Sequence, residues 1–265
     1  MFKLATEPQS IGKVLDSGVR LYTTGLSRVV LWAFLSQLVV AVPGAILQLT
    51  MLNIAPAPDP EAAMSQLGIF LAVLYLVGLS CSVLFFLVAC YRLWQIASGD
   101  ASVPPFKRAL VCLLPTIGAF LLYMLAVVLG MVLLLVPAII FGLSLGFSFY
   151  IIVVERIGPI AALKRSHYLV WGDWWRTLAI LTVALLILVA LSLLVYVPMA
   201  VLGGIGGIDF SFPVFIAIQT LLVVLVGTFT VPLIIAIMLV QYHDLRLRKE
   251  GTDLAARIAA LDPSG

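Results

Sequence analysis

Residues 109–154 contain no Asp, Glu, Lys or Arg. A helix crosses the roughly 30 Å hydrocarbon core of a bilayer with roughly 20 apolar residues, so this run is too long for one span and too apolar for a soluble surface. Val136-Pro137 is its natural break, because proline suits a first helical turn. The run therefore predicts two spans, at about 115–134 and 136–154, joined by a tight hairpin.

Four more stretches have the same character, at about 26–52, 66–96, 174–197 and 213–242. Pro43 and Gly44 inside the first predict a kink; the fifth is expected to stop before Pro198; Pro232 lies inside the sixth. The second and sixth are long enough that they must tilt or protrude. Composition agrees: 63% of the 265 residues are hydrophobic and 10% charged, against roughly 45–50% and roughly 25% in soluble domains. The expected fold is an all-α polytopic membrane protein with six transmembrane helices, forming a single membrane domain over residues 1–265. The start carries Lys3 and Glu7, and the first apolar block is far longer than a signal-peptide core, so a retained first span is expected.

Basic residues near span ends set orientation. Lys3, Lys13, Arg20 and Arg28 precede the first span. Arg92, Lys107 and Arg108 follow the second, and Arg156, Lys164, Arg165 and Arg176 follow the fourth. Arg246, Arg248, Lys249 and Arg257 follow the sixth, which completes all 15 Lys and Arg. The three opposite loops hold only acids: Asp59 and Glu61 in one, Asp209 in another. Six spans with both termini in the cytoplasm satisfy this partition, and an odd number breaks it.

Four segments on the basic side read as amphipathic interfacial helices, at about 10–24, 104–114, 159–171 and 252–261. In the third, Ile160, Leu163, His167, Val170 and Trp171 form one apolar stripe, with Lys164, Arg165 and Tyr168 off it. Thr252 is the expected cap of the fourth. Such helices lie among headgroups or pack on span ends. An amphipathic helix before each two-span hairpin suggests a threefold repeat around a central apolar groove.

No Asp, Glu, Lys or Arg falls in the middle third of any span, which argues against proton-coupled transport. Gly142 and Gly146 form a GxxxG that favours close helix approach. Gly203 to Gly207 is glycine-rich, but without a preceding strand it does not read as a nucleotide loop. Cys81, Cys90 and Cys112 read as buried small hydrophobes. Ser166 with His167 or His243 is the one combination that could serve a hydrolase. No catalytic residue, cofactor or metal ligand is assigned, and nucleic acid is not an expected partner. Trp171, Trp174 and Trp175 sit where tryptophan anchors a helix end.

Residues Val154 to Ser166, then Tyr168 to Gly172, together with the tail Tyr242 to Leu254, resemble the membrane domain attached to some bacterial glycerophosphoryl diester phosphodiesterases and the similar stand-alone YciC-type inner-membrane proteins. The resemblance implies a bacterial cytoplasmic (inner) membrane protein of about six spans. It does not imply phosphodiesterase activity, which in those fusions belongs to a separate soluble domain. The residues expected to form a headgroup or partner surface are Arg156, Lys164, Arg165, Trp171, Asp173, Trp174, Arg176, Tyr242, Asp244 and Arg246. The expected role is non-enzymatic binding of membrane lipid, a protein partner or a second copy, in envelope homeostasis. A transporter or flippase for an apolar or amphipathic molecule and an intramembrane hydrolase are the alternatives. An ion-pair network that simply closes the bundle competes with the binding role for the same charged residues.

Overall fold

A computed structural model describes residues 2–54, 60–99, 102–204 and 212–261. Among these the chain is about 90% helical and has no strand. Eight helices follow in order: α1 Ile11–Ile54, α2 Pro60–Ser98, α3 Pro105–Leu133, α4 Leu135–Leu145, α5 Ser148–Glu155, α6 Pro159–Val170, α7 Trp174–Gly204 and α8 Phe212–Leu261. They give six segments long and apolar enough to cross a membrane, with α4 and α5 together making the fourth. The protein is an all-α, multi-pass membrane protein.

The helices are longer than the spans. The 44 residues of α1 and the 50 of α8 extend about 66 and 75 Å at 1.5 Å per residue, so both protrude well beyond the hydrocarbon. This corrects three expected interfacial helices. Residues 10–24 are the first turns of α1, 104–114 the first turns of α3, and 252–261 the last turns of α8, with Thr252 inside the helix rather than at its start. No breaker intervenes in the first case. In the last, the i,i+4 pairs Arg248–Asp244 and Arg246–Glu250 brace the helix leading into Gly251. Side chains beyond Gly251 lie outside the described residues.

Pro198 does not end its helix as expected, and Pro115 lies inside a helix rather than opening it. Pro43, Pro115, Pro198 and Pro232 all lie inside helices, and α7 continues past Pro198 to Gly204; neighbouring groups and small local adjustments absorb the lost hydrogen bond in membrane helices. The break between the third and fourth spans falls at Leu134, two residues before the expected dipeptide, and Pro137 sits in the first turn of α4. Asp59, Asp209 and the glycines 206 and 207 of the acidic-side loops lie outside the described residues.

Adjacent helices α1 and α2 pack antiparallel, α8 packs along α1, and α3 packs along α4. The tightest approaches are at glycines other than the GxxxG pair. A methyl group at Gly78 would strike the Val39 carbonyl oxygen, and one at Gly18 would come within 2.8 Å of Ile237. Gly142 meets only the Tyr123 hydroxyl at an ordinary 3.7 Å, and Gly146 belongs to a turn.

The core sits at the end where the basic residues gather. Its members come from the first half of α1, the second half of α2, the start of α3, all of α5, one face of α6, the start of α7 and the second half of α8. The centre is not a groove: α5 fills it, with Phe147, Ser148, Tyr150, Ile151, Ile152 and Val153 all buried. In the other half the helices turn large apolar side chains outward, among them Leu76, Leu129, Leu133 and Leu185.

Candidate functional site at the basic end

The fourth span is broken in its interior. Gly146 and Phe147 form a turn between α4 and α5, which leaves backbone groups without helical partners in a region where they must be satisfied within the protein. Ser166 of α6 repairs it. Its hydroxyl donates to the Ser144 carbonyl at 2.6 Å and accepts from the Phe147 N–H at 3.2 Å. This hydroxyl is fully buried and committed to the backbone; it is not presented to either histidine. His167 stacks on Trp171, with ring centres 4.9 Å apart, and His243 pairs with the Ala5 carbonyl at 2.9 Å.

Seating Ser166 inward also sets the face of α6. Ala162, Ser166, Leu169 and Val170 are buried, while Ile160, His167, Tyr168 and Trp171 are exposed. Of the apolar stripe, Val170 is buried and Leu163 half-buried, while Ile160, His167 and Trp171 face outward. The small Ala162 and Ser166 let α6 lie close to α4 and α5, Leu169 and Val170 join the core, and Ile160, Tyr168 and Trp171 face outward.

At the far end of α5, Arg108 is buried. It donates to the carbonyls of Val153 and Val154 at 2.9 and 2.8 Å, and its guanidinium lies 5.2 Å from the centre of the Tyr91 ring. A cation here pairs with the unsatisfied carbonyls and negative dipole of a helix C-terminus.

Two charged clusters tie the helices together. In the first, the Glu155 carboxylate at the end of α5 accepts from the buried Tyr242 hydroxyl at 2.5 Å and from Arg165 at 3.4 Å. Arg165 also pairs with Glu250, which accepts from Arg246 at 2.7 Å. Burial alone would lower the Arg165 pKa, but its hydrogen bonds to Glu250 and Glu155 and their charges outweigh it and raise it. In the second, Asp244, only 2% exposed, accepts from the Gln9 N–H at 2.6 Å and from Arg176 and Arg248, each at 2.9 Å. Arg176 and Arg248 both also donate to the Gln9 carbonyl. The segment before α1 is thus held against α7 and α8.

The α6–α7 link is fixed by Lys249, which donates to the Trp171 carbonyl at 2.6 Å. Gly172 there has φ of 97°, and a side chain at it would lie 3.2 Å from the Lys249 ammonium; only glycine suits both conditions. Asp173 precedes α7, its backbone carbonyl accepting from Thr177 N–H at 3.0 Å. Trp174 and Trp175 stack at 3.9 Å, and Trp175 is exposed.

The ten expected surface residues therefore divide. Arg165, Arg176, Tyr242, Asp244 and Arg246 belong to the bundle-closing network, joined by Gln9, Glu155, Arg248 and Glu250. Trp171, Asp173 and Trp174 shape the α6–α7 link. Arg156 and Lys164 point outward without a side-chain hydrogen bond or ion pair among the described residues, as does Lys107. Arg156 follows α5 with φ of 59° and ψ of 39°, a left-handed conformation that a non-glycine residue rarely adopts. It borders a cleft of about 260 Å³ between α3 and the α5–α6 link. A second, more open cleft of about 590 Å³ lies between the segment before α1, Asp173 and the Arg248–Lys249 turn. Comparison with family models, with curated proteins and with solved structures found no match to this chain.

Proposed function

We propose that the chain is a non-enzymatic protein of a bacterial inner membrane that holds phospholipid headgroups at its basic end, with both termini in the cytoplasm and a role in envelope homeostasis. The resemblance to YciC-type proteins and the one-sided distribution of Lys and Arg motivate the location and orientation.

One observation carries the binding reading. Glu155, Asp244 and Glu250 are each engaged by arginines, whereas Lys107, Arg156 and Lys164 face outward beside exposed Phe106 and Ile160. Cations over an apolar band match anionic headgroups over acyl chains. Among the described residues the broken fourth span is a feature that suits a transporter, but Ser166 seals its break and Phe147 there is fully buried. Binding is the better fit than passage.

Native mass spectrometry of the full chain, extracted gently from its membrane, tests the reading. Retained phospholipid in a fixed ratio is expected. A protein released free of lipid, with or without a companion chain, contradicts it.

A further inference from the structure

From the cleft between α3 and the α5–α6 link we infer a single phospholipid site, in which the Arg156 guanidinium takes the phosphodiester and the cleft takes the start of an acyl chain. The inference rests on the headgroup reading above and names its place. Four observations converge. The cleft wall is apolar, formed by Val111, Cys112, Pro115, Ile152 and Ile157. Arg156 stands beside it, exposed, with no hydrogen bond or ion pair from its side chain among the described residues. It terminates the fourth span, the depth at which headgroup phosphates lie. Below it, exposed Val111 and Leu114 continue the apolar surface along α3.

The conformation of Arg156 adds a separate argument. Its φ of 59° is where glycine normally ends a helix. A long cationic side chain kept in that conformation is the kind of local strain found where a side chain must be aimed. A guanidinium binds a phosphate through two parallel charged hydrogen bonds, which suits it to a phosphodiester better than a lysine. Lys107, one helical turn before Val111 on the same face of α3, supplies a second exposed cation for an anionic headgroup.

The test uses the full-length protein in detergent, titrated with phosphatidylglycerol or with diacylglycerol of the same chains, and reads bound lipid by native mass spectrometry. The wild type should retain one phosphatidylglycerol and no diacylglycerol. Arg156→Gln and Arg156→Gly should each weaken retention about tenfold, the scale of one charged contact, and Val111→Trp should weaken it by filling the cleft. Arg156→Gly relieves the backbone, so its thermal midpoint should not fall, which separates lost binding from lost folding. If both Arg156 variants hold phosphatidylglycerol as the wild type does, or if Lys164→Ala alone abolishes retention, the site is not at Arg156 and only its placement fails. If the wild type holds no phospholipid, the headgroup reading fails with it.

Discussion

The two halves of the bundle are built on different physics. At the basic end, helices meet through fully buried side chains, two charged clusters and side-chain repairs of broken backbone. In the opposite half the helices present leucines and valines outward, where lipid replaces them as partner at little difference in free energy. The contrast follows from the solvent. Apolar burial drives little association in a bilayer, so tight packing, hydrogen bonds and charge pairs decide where spans hold each other. The charge pairs and most of the hydrogen bonds between helices are concentrated at the end where the sequence places its charges, while close glycine approaches such as Gly78 on Val39 hold the helices further along.

The sharpest way to break this comparison is to remove Asp244. With 3% of its side chain exposed and two arginines on one oxygen, Asp244→Ala should destabilise the protein by about 3 kcal/mol, the lower end expected for a buried pair since both arginines reach water. Reversible unfolding in bicelles measures it. Next is Ser166→Ala, which strands the Ser144 carbonyl and the Phe147 N–H. A loss of about 2 kcal/mol is expected, with faster hydrogen exchange confined to residues around the break. Tyr242→Phe removes the hydroxyl bonded to Glu155 and should lower stability by about 1.5 kcal/mol; a double-mutant cycle with Glu155→Gln should show the two effects to be non-additive. Smallest and opposite in sign, Arg156→Gly should raise stability by about 0.5–1 kcal/mol by relieving a left-handed residue, read from the same unfolding curves.

Much of this arrangement was legible in the chain itself, because a bilayer is a strict solvent. Six apolar stretches with no charge in their middle thirds and a one-sided set of cations leave few topologies, and the six observed spans agree with them. Other features were hidden for specific reasons. The break at Gly146–Phe147 carries no signal, since the residue that repairs it, Ser166, lies 19 positions away and looks like any polar residue of an amphipathic helix. The buried face of α6 was open because periodicity identifies an apolar stripe but not its direction; at a membrane surface both the protein and the lipid accept one. Ala162 and Ser166, the small residues, marked the buried side. The charged residues of the candidate surface were recognisable, but their pairing was not: Glu155 and Tyr242 are 87 positions apart. Arg156 looks like Arg165 and Arg176 in the sequence, and only the fold separates the one facing outward from the two enclosed.

The most direct test of the two-halves account compares two truncations in one membrane mimic. Asp244→Ala at the basic end and Leu129→Ala in the opposite half, 54% exposed, are unfolded reversibly in the same bicelles. The account predicts a loss of about 3 kcal/mol for the first and a change within about 0.5 kcal/mol for the second, since lipid refills the space. Equal losses, or a larger one for Leu129→Ala, would contradict it.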